Sequence, residues 1–111
     1  MAATPVVNIV IAQGTDFSES FTSTEPDGTA SNLSGFSGVS KIKKYPDSPS
    51  FESFSVSIVG LTGEVSIAMT VGKTVNLKPG RYYYDIVLTS GSGSVSRMVE
   101  GSAMVTAGIS I

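Results

Sequence analysis

The sequence predicts an all-β chain: a single antiparallel β-sandwich domain over residues 1–111, with about seven strands and one short helical turn near Val71–Leu77. Three observations lead there. Apolar and polar residues alternate with period two along most of the chain, as half-buried strands require. The polar partners are mostly Ser, Thr and Gly rather than Glu and Lys, and the apolar ones are largely Val, Ile and aromatics, which pack well on a pleated surface. Turn chemistry recurs between the alternating stretches, while helical periodicity is almost missing. With 111 residues there is room for one core, and a hydrophobic content of 41% against 14% charged residues argues against disorder.

The first strand is expected over Pro5–Ala12, with Val7, Ile9 and Ile11 on one face and Val6 and Val10 on the other; apolar residues on both faces predict cover from two sides. Gln13-Gly14-Thr15 turns the chain into a second strand, Asp16–Ser23, where Phe17 and Phe21 point inward. Glu19 shares their parity, so a bulge or strand end is expected there. Glu25-Pro26-Asp27-Gly28 is a strong turn, because Pro fixes φ and Gly accepts a positive one. A third strand, Gly38–Tyr45, sets Ser40 and Ile42 against Val39, Lys41 and Lys43, and Pro46 and Pro49 break the ladder after it. Phe51–Val59 and Glu64–Thr70 follow as clean alternations. The helical turn ends at Pro79-Gly80. The sixth strand, Arg81–Ser90, separates Tyr82, Tyr84, Ile86 and Leu88 from Tyr83, Asp85 and Val87. Gly91-Ser92-Gly93 makes a hairpin into the last strand, Ser94 to about Thr106, with a kink expected at Glu100-Gly101.

Composition narrows the chemistry. There is no Cys and no His, which removes disulfides, thiolate metal sites, thiol nucleophiles and the usual neutral-pH general base. The acids Asp16, Glu19, Asp27, Asp47, Glu64 and Asp85 are scattered, without the spacing of a cation-binding loop, and no Ser stands in an activating motif. No catalytic residue, metal site or cofactor is expected. The net charge of −2 without a basic block argues against nucleic acid. Val6–Ala12 is apolar but short, interrupted by Asn8 and not preceded by Lys or Arg, so neither a signal peptide nor a membrane span is expected, and the chain is read as soluble and made in the cytoplasm.

Several short motifs occur in a telling order: Gln13-Gly14 before a Phe-containing strand, Leu33-Ser34-Gly35-Phe36 before the third strand, and Gly63-Glu64-Val65-Ser66-Ile67 before the helical turn. Leu77-Lys78-Pro79-Gly80-Arg81-Tyr82-Tyr83-Tyr84-Asp85 and Arg97-Met98-Val99-Glu100-Gly101 complete the set. From about Val7 to Thr106 this order resembles the small immunoglobulin-like β-sandwich proteins of tailed bacteriophages and prophages, including the N-terminal domain type of phage baseplate upper proteins. Ser40 departs from the pattern, which usually has an apolar residue there. The resemblance implies a virion structural role without catalysis. The spacing from Leu77 through Pro79-Gly80 to Tyr83 also resembles the tyrosine corner of Greek-key sandwiches, with Tyr82 a competing candidate on core parity.

The expected function is therefore a non-enzymatic structural and interaction component of a tailed-phage virion, in the tail, baseplate, neck or fibre. The expected partners are other virion proteins and copies of itself, with no nucleic acid and no membrane. A capsid decoration protein is the first alternative. A host-glycan-binding module using Tyr82, Tyr83 or Tyr84 is the second, although alternation sends neighbouring tyrosines to opposite faces. The candidate interface residues are Val6, Val10, Ile109 and Ile111, apolar where a free surface prefers polar groups, together with the basic cluster Lys41, Lys43 and Lys44. For the lysines, guarding an edge strand against unwanted pairing is the preferred reading over docking on an acidic neighbour.

Overall fold

The computed structural model describes residues 6–23, 32–45, 47 and 52–109. The expected turn at residues 25–28 and most of the proline loop at 46–49 lie outside them. Among the described residues the chain is all-β, with strands β1 (Ile9–Ala12), β2 (Phe17–Thr22), β3 (Ser37–Lys43), β4 (Glu52–Val59), β5 (Glu64–Met69), β6 (Gly80–Thr89) and β7 (Val95–Thr106), and one helical turn, α1 (Val71–Thr74). The strands form one seven-stranded sheet in the order β1-β7-β6-β3-β4-β5-β2.

The sheet is mixed, not antiparallel throughout: β1 runs parallel to β7, with Ile9 beside Ala103 and Ala12 beside Thr106. The reason lies in the turn at Gln13–Asp16. It does not fold β1 back as a hairpin but carries the chain to the opposite edge of the sheet, leaving β1 to follow the direction of β7. A second feature bends the sheet. The first residues of β4 pair with β3, Phe54 opposite Ser40, whereas from Ser55 onward the strand pairs with β5. One strand thereby belongs to both halves, and the sheet curls around a shared interior towards closure as a barrel.

That interior follows from the alternation. Ile9, Ile11, Ile42, Val65, Ile67, Ile86 and Val105 are at most 5% exposed. Phe54 links Phe17, at 5.8 Å between ring centroids, to Tyr84 at 6.4 Å in an edge-to-face contact. Ser40, a polar residue on an inward face at 1% exposure, is satisfied by donating to the Asp85 carbonyl at 2.6 Å. Glu19 causes no bulge: β2 pairs with β5 in unbroken register from Phe17 to Thr22. Because β2 is an edge strand, an inward-parity carboxylate there still reaches water.

One expectation about β7 is corrected, and the choice left open on β6 is decided. The irregularity falls at Met98 rather than Glu100-Gly101, since Ile86 opposes Val99 while Val87 opposes Arg97. The extra residue turns Met98 towards the core and leaves Arg97 outside. Gly101 instead makes room for a neighbouring segment, because a Cβ there would collide with the Val7 carbonyl. The tyrosine corner belongs to Tyr82, whose hydroxyl donates to the Lys78 carbonyl at 2.8 Å. Tyr83 has the opposite parity and faces outward, 41% exposed.

One end is closed by α1 and the chain beside it. The Val71 amide donates to the Asp16 carboxylate at 2.8 Å and the buried Thr74 hydroxyl to the Thr15 carbonyl at 2.7 Å. The Gln13 side chain donates to the Leu77 carbonyl at 2.9 Å and accepts from the Gly108 amide at 3.1 Å, tying three distant segments together.

Ile86 is fully buried, so Ile86→Ala removes about 2–5 kcal/mol, a large fraction of a small domain's stability. A cooperatively melting variant of near wild-type stability in urea titration would contradict the central place of β6. Tyr84 yields a pH prediction. Burial, and secondarily the charge of Glu19, push its hydroxyl up from 10.0 to about 12. Below the lower value both folded and unfolded chains keep the proton and stability is full. Between the two the unfolded chain ionises first, so stability falls as pH rises from about 10 towards about 12. Tyr84→Phe removes that alkaline loss, and costs about 1 kcal/mol at neutral pH by deleting the hydrogen bond that the Tyr84 hydroxyl donates to the Val7 carbonyl at 2.6 Å; denaturant titrations at stepped pH measure both.

Candidate interaction surface

The outward residues of β1, β7, β6 and β3 form a surface whose rows can be read from the register. Val10 and Met104 share one row with Arg81. The next holds Ser102, Tyr83 and Lys43, with Asn8 at its end accepting from the Ser102 amide at 3.1 Å. Then come Val6, bridged to Glu100, followed by Asp85 and Lys41. Arg97, Val87 and Val39 complete the set. The surface is concave, a trough of about 880 Å³ with Val6 and Asn8 on one wall and Val39, Lys41 and Lys43 on the other.

The charges in the trough are arranged around a conflict. Asp85 and Glu100 stand directly opposite each other on paired strands, where like charges repel. Arg97 resolves it by holding both, its Nε 3.2 Å from Asp85 and its Nη1 2.9 Å from Glu100. The bulge at Met98 brings Arg97 into position opposite Val87, one step along β6 from Asp85's row. Four cations line the trough (Lys41, Lys43, Arg81 and Arg97) against the two carboxylates, on a chain whose overall charge is −2. Two of the cations stand at the Tyr83 end, where Lys43 is its cross-strand neighbour and Arg81 lies two residues away on the same face.

Of the expected interface residues, Val6, Lys41 and Lys43 come together as trough lining. Val10, 64% exposed, continues the same face beside Met104. Lys44 does not join them; its Nζ lies 5.0 Å from the centre of the Tyr82 ring, as a cap on the tyrosine corner. Ile109 projects past β7, almost fully exposed, and Ile111 lies outside the described residues. The edge-guarding reading of the lysines is overturned, because β3 is hydrogen-bonded on both sides, to β4 and β6. Arg81, Tyr83, Asp85, Arg97 and Glu100 were not among the expected interface residues. The alternation of β6 already put three of them on one outward face; the adjacency of β3 and β7 required the fold. Among the described residues, no three acids, cysteines or histidines gather as a metal-ligand set.

The opposite outward surface, on β2, β4 and β5, differs in kind. Ser18, Ser20, Thr22, Ser55 and Ser57 are exposed there, and Ser20 and Ser66 share a hydrogen bond at 2.9 Å.

Removing the arbiter of the carboxylate pair tests the electrostatics. Arg97→Ala destabilises by about 0.5–1 kcal/mol at low salt, and the loss shrinks in about 1 M NaCl, where the repulsion it uncovers is screened. Asp85→Asn in the Arg97→Ala background restores most of it in urea titrations; no recovery would mean that Arg97 acts through packing alone.

No protein-family model and no curated protein matches the sequence. Among solved structures, the chain is similar to part of a family 123 glycoside hydrolase from Clostridium perfringens, studied for glycolipid glycan hydrolysis. The identity is 15% and the TM-score 0.44, over 96% of this chain and 24% of that one. The chain thus spans about a quarter of that enzyme's length, and a likeness at this level carries no argument about activity.

Proposed function

We propose that this chain is a non-enzymatic structural and interaction module of a tailed-phage particle, built as an immunoglobulin-like β-sandwich and binding neighbouring subunits through the trough and its apolar margins. The sheet order supports the sandwich reading: β1, β7, β6 and β3 make one layer, β5 and β2 the other, and β4 passes between them. The ordered motifs from Gln13 to Gly101 support the phage assignment.

The observation that carries the interaction role is the contrast between the two outward surfaces. Val6, Val10, Val39, Val95 and Met104 are 42–68% exposed on the trough side, while the strands of the other side offer mainly hydroxyls and, among the described residues, one exposed large apolar side chain, Val59 at 49%. Apolar groups gathered on one face of a chain so poor in charge suit a surface that is covered in its working state. A place on the capsid exterior as a decoration protein would use the same surface. A host-glycan module is the further alternative, resting on Tyr83 alone, since Tyr84 is buried and Tyr82 is engaged in its corner.

The test is incorporation. A tagged copy produced in a host making tailed particles should co-purify with them and give labelled density on the tail, baseplate, neck or fibre by electron microscopy. The triple variant Val6→Ser, Val10→Ser, Met104→Ser should stay folded, each change costing less than about 0.5 kcal/mol, and yet be left out of the particles. A wild-type chain that never enters them would refute the proposal, density on the head would favour decoration, and saturable binding in a sugar titration would favour the glycan module.

A further inference from the structure

Resting on that interaction role, the geometry points to one occupant for the trough: an extended segment of a neighbouring subunit that carries a carboxylate and, four residues away, an apolar side chain. We infer that the carboxylate sits at the Tyr83 end, between Lys43 and Arg81, and the apolar side chain at the other end, on Val39 and Val87.

Charge and apolarity are distributed unevenly along β6. Its outward residues run Arg81, Tyr83, Asp85, Val87, so one strand passes from cationic through aromatic and acidic to apolar. Lys43 flanks Tyr83 across the strand, which makes that end doubly basic around an exposed ring. At the far end Val39 is directly opposite Val87, an apolar pair with Val39 55% exposed. Tyr83 and Val87 are four residues apart, about 13 Å along a strand. An extended segment lying along β6 spans that distance in four residues, and side chains at those two positions point the same way.

The middle of the trough selects against another kind of anion. Asp85 and Glu100 occupy its floor, so a polyphosphate track laid along β6 would pass over two carboxylates that Arg97 and Lys41 do no more than balance. A polypeptide need not place a charge there. It can offer hydroxyls or backbone amides to Asp85 and Glu100 and keep its single carboxylate for the basic end. Lys41 and Lys43 retain their contacts within the chain; the inference asks only that their charge face the trough.

The probe is an acetylated, amidated peptide of Ser and Thr with one Glu and, four positions later, one Val. Titrated into the isotopically labelled full chain at low salt, it should shift the amide signals of Lys43, Tyr83 and Val87. Replacing its Glu by Gln should weaken binding about tenfold, the worth of one charge-assisted contact. Moving the Val to two positions from the Glu should weaken it severalfold. Lys43→Glu/Arg81→Glu, checked for folding by its melting curve, should lose the Glu peptide and accept the same peptide with Lys in place of Glu. Such a swap cannot come from a merely damaged fold.

Equal binding of the Glu and Gln peptides, shifts confined to the hydroxyl surface, or tighter binding of a short DNA duplex would each overturn the inference. So would self-association through the trough that the peptide does not compete away. If the peptides fail while the labelled chain still enters particles, the occupant is wrong and the interaction role survives. If they bind but the chain enters no particle, the occupant stands and the phage assignment falls.

Discussion

The carbonyl of Val7 holds a position on which the trough side of the molecule depends. It accepts the Tyr84 hydroxyl at 2.6 Å, while the Val7 amide donates to the Glu100 carbonyl at 2.9 Å. Both contacts are possible because Gly101 presents no Cβ where that carbonyl comes to rest. A tyrosine from the interior, a glycine from β7 and the backbone ahead of β1 thus meet at one point. Without that meeting β1 would be four residues of parallel strand on an open edge, a weak attachment. With it, β1 is anchored just before its first residue, and Val6 and Asn8 are held as one wall of the trough.

The same anchoring relates interior to exterior. Alternation along β6 sends Tyr84 inward to hold the first segment and Tyr83 outward onto the surface that segment borders. The bulge at Met98 works in a comparable way, since one extra residue fills the core with a thioether and swings Arg97 over two repelling carboxylates. The outward face owes its charge pattern to irregularities whose other consequence is core packing. The hydroxyl-bearing face on β2, β4 and β5 has an unbroken β2–β5 register and a simpler surface.

Much of the fold is legible in the sequence because period-two alternation is a local property. The inward sets of β3, β4, β5 and β6, the helical turn after Met69 and the loop ending at Gly80 all follow from residues within one strand length. What could not be read was set by contacts between distant segments. The parallel pairing of β1 depends on where the Gln13 turn sends the chain. The role of Gly101 depends on Val7, far away in sequence, so a strand glycine suggested a kink when the actual demand was space. The lysines of β3 suggested an edge because alternating charge is common there, yet β3 is flanked on both sides. The candidate site divides the same way: Lys41 and Lys43 were visible as a cluster, but their company with Arg81, Tyr83 and Arg97 exists only across strands.

The parallel course of β1 and β7 has a consequence for how such a unit could be joined to others. A polypeptide arriving at Val6 meets β7 midway, at Glu100, and travels with it, and the chain leaves past Thr106 at the end towards which both strands run. Entry and exit therefore lie one behind the other along a single axis instead of side by side.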